Sequence, residues 1–164
     1  MKRQCLVLLV ENNAGVLARI SSLFVQRGFN IDSLTVSPTE VEKLSRITIV
    51  TTGDIKTLNQ IVKQSAKLNE TKLIFPVEEE FSLVREILLV KFSNTNENKE
   101  KILSVANDFD ANVIDVTNEC FILELASTPQ KIDDFLEAVE GFNLVEMCRS
   151  GAIAMERGSV DYDI

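Results

Sequence analysis

The feature that most constrains this chain is the order strand–helix–strand–strand–helix–strand, which its hydrophobic pattern predicts twice within 164 residues. In the first half, residues 5–10 form an unbroken apolar run of the kind found in buried strands. Apolar side chains at helical spacing follow in residues 16–24, and again in residues 55–68. The other predicted strands are residues 30–36, 45–51 and 73–77. The first half is therefore predicted to be βαββαβ.

The second half repeats this order with different residues. Apolar side chains at helical spacing lie between Ile102 and Phe109, and a second helix is predicted to begin at Thr128-Pro129. Threonine caps unpaired amides, and proline at the first helical position lacks only a donor that would have no partner there. The predicted strands are residues 87–92, 112–116, 120–125 and 144–148.

A βαββαβ unit folds as a four-stranded antiparallel sheet with both helices on one face. The predicted fold class is therefore α+β, with two ferredoxin-like domains. The acidic run at residues 78–80 interrupts the apolar pattern, so we predict domains at residues 1–77 and 78–164, the second ending in a polar tail after Gly158. Because small domains bury little surface and these strands are continuously apolar, we expect partner sheets, from another chain or from the other half, to cover them. We therefore expect an obligate oligomer.

The composition argues against a catalytic centre. The chain contains no histidine, which removes a histidine general base and any Ser/His or Cys/His pair. It also contains no phosphate-binding loop motif. Its cysteines are three in number and have no metal-ligand spacing, so we predict that they are buried structural thiols in a reducing compartment. They are Cys5, Cys120 and Cys148.

Charge and hydropathy exclude two further classes of partner. The net charge of −8 divides into +4 over residues 1–76 and −12 over residues 77–164. No clustered basic surface is present, so we predict that the chain does not bind nucleic acid. No apolar run approaches the roughly 20 residues that span a bilayer, so we predict no membrane partner.

The turn Asn12-Asn13-Ala14-Gly15, between the first strand and the first helix, is the candidate ligand site. A helix start carries unpaired amides and the positive end of the dipole, which suit a carboxylate. Gly15 lets a ligand approach the backbone, and the amide oxygen of Asn12 can accept from an ammonium group. An α-amino acid offers both groups. The alternative is that Asn12 or Asn13 only caps the helix and Gly15 eases the turn.

Two further features favour the ligand site. The equivalent turn of the second half, Ser93-Asn94-Thr95-Asn96, has no glycine, although a requirement of the fold would place one in both halves. In addition, Asn30 stands at the start of the second predicted strand. The first helix separates Asn30 from the turn, so Asn30 is predicted to reach the same ligand only from another subunit.

Several stretches of the chain together carry a family resemblance. They are residues 8–12, 15–19, 23–24, 27–36, 44–49, 85–91, 113–117, 149–151 and 157–158. In these stretches, and over about residues 3–158, the chain resembles the small regulatory subunits of acetolactate synthase (acetohydroxyacid synthase), whose N-terminal domain is an ACT domain.

The resemblance implies a non-catalytic subunit without a cofactor of its own. Such a subunit activates a separate large catalytic subunit, which uses thiamine diphosphate, Mg and FAD, and confers feedback inhibition by valine in branched-chain amino-acid biosynthesis. Leucine and isoleucine are expected to be weaker effectors. The resemblance also implies a cytoplasmic location, or a plastid one if the chain is plastid-encoded.

The resemblance further implies that the effector lies between the ACT domains of a homodimer. Asn12 and Gly15 would come from one subunit and Asn30 from the other. Weaker candidates for lining the site are Val16, Ile31 and Thr35. Ala14 stands where the family often has proline.

Two other functions remain open at this stage. The first is a free-standing amino-acid-binding ACT sensor without an enzyme partner, against which the matching second half argues. The second is an enzyme that uses acidic residues alone.

Overall fold

The computed structural model describes residues 2–78, 80–94 and 96–158. These form two compact units. One unit consists of two segments, the residues up to Leu83 and those from Gly151 onward, and the other unit is Val84–Ser150. The domain limits expected from the sequence, residues 1–77 and 78–164, remain a prediction. The predicted polar tail after Gly158 lies outside the described residues.

The first unit contains one antiparallel sheet and two helices in the predicted order. Its elements are β1 (Lys2–Glu11), α1 (Val16–Val25), β2 (Ile31–Pro38), β3 (Leu44–Gly53), α2 (Ile55–Ser65) and β4 (Thr71–Pro76). The strands lie in the order β2-β3-β1-β4, so β2 and β4 form the edges. The α+β fold class is confirmed.

Both faces of the central strand β1 are buried. Leu6, Leu8 and Val10 pack into the core with α1 and α2. Successive side chains of a strand point to opposite faces, and Val7 and Leu9 on the other face are 0% and 5% exposed. The unbroken apolar run therefore belongs to a strand that is buried on both sides, as its composition indicates.

The second unit repeats the pattern. Its elements are β5 (Ser82–Ser93), α3 (Asn96–Asp108), β6 (Asn112–Val116), β7 (Cys120–Ser127), α4 (Pro129–Ala138) and β8 (Leu144–Arg149). The strand order is β6-β7-β5-β8. α4 begins at Pro129, and the backbone amide of Lys131 donates to Oγ1 of Thr128 at 3.3 Å. The predicted start of this helix is therefore confirmed.

The sequence analysis did not predict one of the strands. β9 (Ile153–Glu156) pairs with β5. Along β9 the small Ala154 is buried while Ile153 and Met155 are exposed, which reverses the usual relation between side-chain size and burial. A hydrophobicity pattern cannot detect such a strand.

The prediction that the cysteines are buried is wrong. All three are thiols, but Cys5 and Cys120 are only half-buried and Cys148 is exposed. Cys148 lies on β8, an edge strand whose residues are exposed up to Arg149. The apolar residues of β8 resemble those of a buried strand. The side chains of an edge strand, however, have neighbours on one side only, so they remain exposed.

Candidate functional site

The turn between β1 and α1 is tied to the beginning of β3. The backbone amide of Asn12 donates to the carbonyl oxygen of Lys43 at 2.8 Å. Gly15 precedes the helix with φ of +87° and ψ of −10°. Glycine enters this left-handed region without the steric cost that other residues meet. The conformation of the turn therefore depends on Gly15.

No side chain caps α1. Nδ2 of Asn13 donates to Oε2 of Glu11 at 3.0 Å, so this side chain turns back toward β1. Asn12 is exposed, and its side chain makes no hydrogen bond within the described part of the chain. The alternative that Asn12 or Asn13 caps the helix is therefore wrong, and the amide of Asn12 is available to a ligand.

The first turn of α1 offers several backbone donors. The amide of Arg19 donates to the carbonyl oxygen of Gly15 at 3.1 Å, which is the first regular helical bond. Among the described residues, the amides of Gly15, Leu17 and Ala18 have no backbone acceptor. Such amides, at the positive end of the helix dipole, form an anion site by themselves.

Two ion pairs lie beside the turn. Nζ of Lys72 lies 2.6 Å from Oε1 of Glu11. Arg19 forms a second ion pair with Glu70. Each pair is neutral as a whole, so neither adds a net charge at the turn. The helix-start amides and the side chain of Asn12 together suit the carboxylate and ammonium groups of a zwitterion.

The equivalent asparagine of the second unit is already bonded. Asn94 follows β5 as Asn12 follows β1, and its backbone amide donates to the carbonyl oxygen of Glu119 at 2.8 Å. Its Nδ2, however, donates to the carbonyl oxygen of Thr117 at 2.6 Å. Of the two asparagines, only Asn12 thus presents an unbonded side chain. The neighbouring Thr95 lies outside the described residues.

Asn30 lies far from the turn of its own chain. Its carbonyl oxygen accepts from Oγ1 of Thr51 at 2.6 Å, at one end of β3. The turn adjoins the other end of β3, where Glu11 pairs with Leu44. Thr51 lies seven residues after Leu44 along β3, which corresponds to about 23 Å. One chain therefore cannot bring Asn30 to its own turn.

The three weaker candidates do not line the turn with their side chains. Val16 is 4% exposed and packs into the core, so only its backbone lies at the turn. Ile31 packs against the same core from β2. Thr35 lies on the opposite face of the sheet, close to Gly151. A Cβ added to Gly151 would stand 2.3 Å from Oγ1 of Thr35. Of the six predicted residues, the fold of one chain brings together Asn12, Gly15 and the backbone of Val16.

The sequence analysis did not identify Arg46 as a candidate functional residue. It lies within β3, and its Nε and Nη2 atoms are buried without a hydrogen-bond partner. The available signal was an arginine inside an otherwise apolar and hydroxylic strand, residues 44–51.

Other kinds of site are not found within the described ranges. Residues 2–78, 80–94 and 96–158 contain no group of three or more cysteine, aspartate or glutamate side chains that could hold a metal ion. The helices in these same ranges are too short or too polar to cross a bilayer.

Comparison with known proteins gives matches along both units. One family model, described as the small subunit of acetolactate synthase, matches residues 85–158. Another, described as an AHAS small subunit-like ACT domain, matches residues 6–72. The probable acetolactate synthase small subunit of Archaeoglobus fulgidus is 40% identical over 157 residues, which are 96% of this chain and 98% of that protein.

Two more proteins extend the comparison. The acetolactate synthase isozyme 3 small subunit of Escherichia coli is 40% identical over 157 residues, 95% of this chain and 96% of that one. The crystal structure of the acetolactate synthase small subunit from Thermotoga maritima superposes with a TM-score of 0.86 at 34% identity, covering 98% of this chain and 100% of that chain. The resemblance inferred from the sequence is confirmed.

Proposed function

The chain belongs to the family of acetolactate synthase small subunits, and we propose that it is a non-catalytic regulatory subunit that activates the large catalytic subunit and makes it sensitive to valine. The observation that supports the effector site is the start of α1, where unpaired amides adjoin the unbonded side chain of Asn12. We propose a cytoplasmic location, or a plastid one for a plastid-encoded chain.

The proposed effector is bound through its two charged groups. The carboxylate of valine accepts from the amides of Gly15, Leu17 and Ala18, at the positive end of α1. The side-chain oxygen of Asn12 accepts from the ammonium group. Leucine and isoleucine differ from valine by one methylene, which is worth about 1–3 kcal/mol in an apolar pocket. They are therefore proposed to be weaker effectors.

A second copy of the chain completes the proposed site. Asn30 lies about 23 Å from the turn of its own chain, by the rise of β3. Since β2 is an edge strand, two copies can pair their β2 strands antiparallel. Such pairing carries Asn30 of the partner subunit toward the turn. We propose a homodimer through the ACT domains, with two such sites.

Inhibition then follows because valine binding is thermodynamically linked to the arrangement of the two ACT domains. Valine shifts the complex only to the extent that it binds one arrangement of the two ACT domains more tightly than another. We propose that the arrangement it favours activates the large subunit less well. The large subunit is proposed to hold thiamine diphosphate, Mg and FAD, while this chain holds none of them and contributes binding and conformational change only.

Reconstitution with the large subunit tests the proposal. We expect acetolactate formation to rise when the chain is added and to fall again as valine is titrated. Asn30→Ala should weaken valine inhibition at least tenfold, whereas Asn59→Ala, an exposed asparagine on α2, should leave it unchanged. Valine sensitivity that survives Asn30→Ala would contradict the cross-subunit site. Valine binding without activation of the large subunit would support a free-standing sensor instead.

A further inference from the structure

Gly151 is a glycine that the space around it requires, although its backbone conformation does not. The glycines with a positive φ are Gly15, Gly28, Gly141 and Gly158, so position 151 has a φ that other residues adopt as well. A Cβ added there, however, would stand 2.3 Å from Oγ1 of Thr35 and 3.1 Å from the carbonyl oxygen of Leu34. Non-bonded heavy atoms pack best at about 3.5–4.0 Å. The backbone at Gly151 therefore lies against β2 with no room for a side chain.

This contact holds β2 from the face opposite to the helices. Leu34 packs against the core that the sheet shares with α1 and α2. Thr35, the next residue, points to the other face, where Gly151 meets it. Because β2 is an edge strand of the described sheet, it pairs with β3 alone. β2 is thus confined by the core on one face, by Gly151 on the other and by β3 along one edge.

The segment that carries Gly151, residues 151–157, is itself held in place. Ala152 and Ala154 are 0% and 6% exposed, and the backbone amide of Arg157 donates to the carbonyl oxygen of Phe81 at 2.7 Å. This segment belongs to the same compact unit as β2. Because it is packed and bonded beyond Gly151, it cannot simply move away from an added methyl group. Part of the displacement therefore falls on β2.

The position of β2 matters because Asn30 directly precedes this strand. The carbonyl oxygen of Asn30 accepts from Oγ1 of Thr51 at 2.6 Å, which fixes Asn30 beside β3. Thr35 lies five residues after Asn30, and the register between β2 and β3 shifts between Ile31 and Ser33. Hydrogen bonds weaken steeply as their geometry departs from the ideal. A small displacement of β2 therefore changes the contact proposed between Asn30 and the effector.

We propose that Gly151 is a positioning residue for the effector site. By admitting the close contact with Thr35, it sets the place of β2, and β2 in turn sets how tightly the site that Asn30 completes binds valine. The proposal rests on the effector site proposed above. It makes segment 151–157 part of the valine response, although none of its residues contacts the effector.

Valine titration of the complex reconstituted from the full-length chain and the large subunit tests this role. In Gly151→Ala the valine concentration at half-inhibition should rise about tenfold, because overpacking of the contact displaces β2. Activity at each valine concentration is divided by activity without valine, so a smaller amount of folded chain does not move this midpoint. Gly158→Ala is the matched control, because Gly158 follows the same segment and an added Cβ there meets nothing within 4 Å. It should keep the wild-type midpoint.

Substitutions of Thr35 separate this contact from other effects of the added methyl group. Thr35→Ala removes Oγ1, the atom nearest to the added Cβ. In the Thr35→Ala background, Gly151→Ala should raise the midpoint by less than about twofold, because both substitutions act through one contact. Thr35→Val tests the same contact if Gly151→Ala does not fold. It keeps a β-branched residue in the strand, crowds Gly151 from the side of β2 and should raise the midpoint about threefold.

The outcomes separate this proposal from the one on which it rests. Wild-type midpoints in Gly151→Ala and Thr35→Val would overturn the positioning role and leave the regulatory function standing. The positioning role would also be overturned if Gly151→Ala kept its full effect in the Thr35→Ala background, or if Gly158→Ala raised the midpoint equally. A wild-type complex that valine does not inhibit at any concentration would overturn the proposed function itself.

Discussion

At the scale of single residues, the two asparagines that follow β1 and β5 show how one repeat becomes a candidate ligand site. Their backbone amides make equivalent bonds, to the carbonyl oxygens of Lys43 and Glu119. Only the side chain of Asn94 is then bonded internally, to Thr117. Asn12 has no such neighbour, so its amide remains available for a ligand.

Gly15 gives the first prediction at this scale. Its φ of +87° costs a residue with a Cβ about 1–2 kcal/mol, although the space around it is open. Gly15→Ala should therefore lower the free energy of unfolding by about that amount and reduce the valine response as the turn changes. Denaturant unfolding and valine titration measure the two effects.

Gly141→Ala is the matched control for this prediction. Gly141 has φ of +89° and open space around it, but it follows α4 in the second unit, which holds none of the proposed effector-binding residues. It should cost similar stability and leave the valine response unchanged. Loss of the valine response in Gly141→Ala would mean that lowered stability, rather than a change of the turn, reduces effector binding.

At the scale of elements, Arg149 joins the end of β8 to two other elements of the second unit. Its Nε lies 2.5 Å from Oε2 of Glu86 on β5, and its Nη1 lies 2.5 Å from Oδ1 of Asp133 on α4. Burial acts to lower the pKa of Arg149, but the hydrogen bonds and charges of both carboxylates raise it above its ordinary value. The guanidinium group therefore stays charged and fastens β8 to its neighbours.

The second prediction concerns a variant that lacks this cation. Glu86 is 2% exposed, so Arg149→Met removes a charged hydrogen-bond donor from a buried carboxylate. We expect a loss of about 3 kcal/mol in the free energy of unfolding, as for a buried pair that loses one partner. Thermal and denaturant unfolding measure it.

Lys91→Met provides the comparison, because Lys91 pairs with Glu146 on the surface. The hydrogen bond and charge of Lys91 lower the pKa of Glu146 below its usual 4.5. The contribution of this exposed pair is therefore present at neutral pH and is lost as the pH falls through the lowered pKa. Solvent screens such a pair, so little stability should change. Equal losses in the two variants would contradict the role given to burial.

At the scale of the whole molecule, the proposed site is divided between two copies of the chain. The register of β3 holds the turn and Asn30 at opposite ends of one sheet. A homodimer with antiparallel β2 edges would repeat the arrangement, so that each of two sites takes Asn12 from one copy and Asn30 from the other. Mixed dimers make this division measurable.

The third prediction uses such mixed dimers. Asn12→Ala and Asn30→Ala chains alone should each bind valine weakly. In an equimolar mixture, half of the dimers pair one variant with the other and contain one intact site of two, so about a quarter of the wild-type sites should reappear. Calorimetric titration with valine counts them. Recovery of no sites after subunit exchange would contradict a site shared between chains.

The sequence alone determined the βαββαβ order of the two halves and the place of the candidate site. Largely apolar segments predicted their strands, helical spacing predicted the helices, and Thr128-Pro129 predicted the start of α4. These features depend on residues near one another in the chain, whose spacing is visible in the sequence. The choice of the turn at Asn12 also rested on a local comparison of the two repeats.

Only the tertiary structure decided which of these groups are already satisfied. Asn94 is bonded through Thr117, 23 residues away, and Cys148 is exposed because β8 lies at a sheet edge. Arg46 keeps two buried donors without an acceptor because no carboxylate of the described chain meets them. Burial and hydrogen-bond partners come from residues distant in sequence, so the pattern of one segment does not contain them. The sequence located the candidate effector turn, and the fold places Asn30 at the far end of the sheet from it.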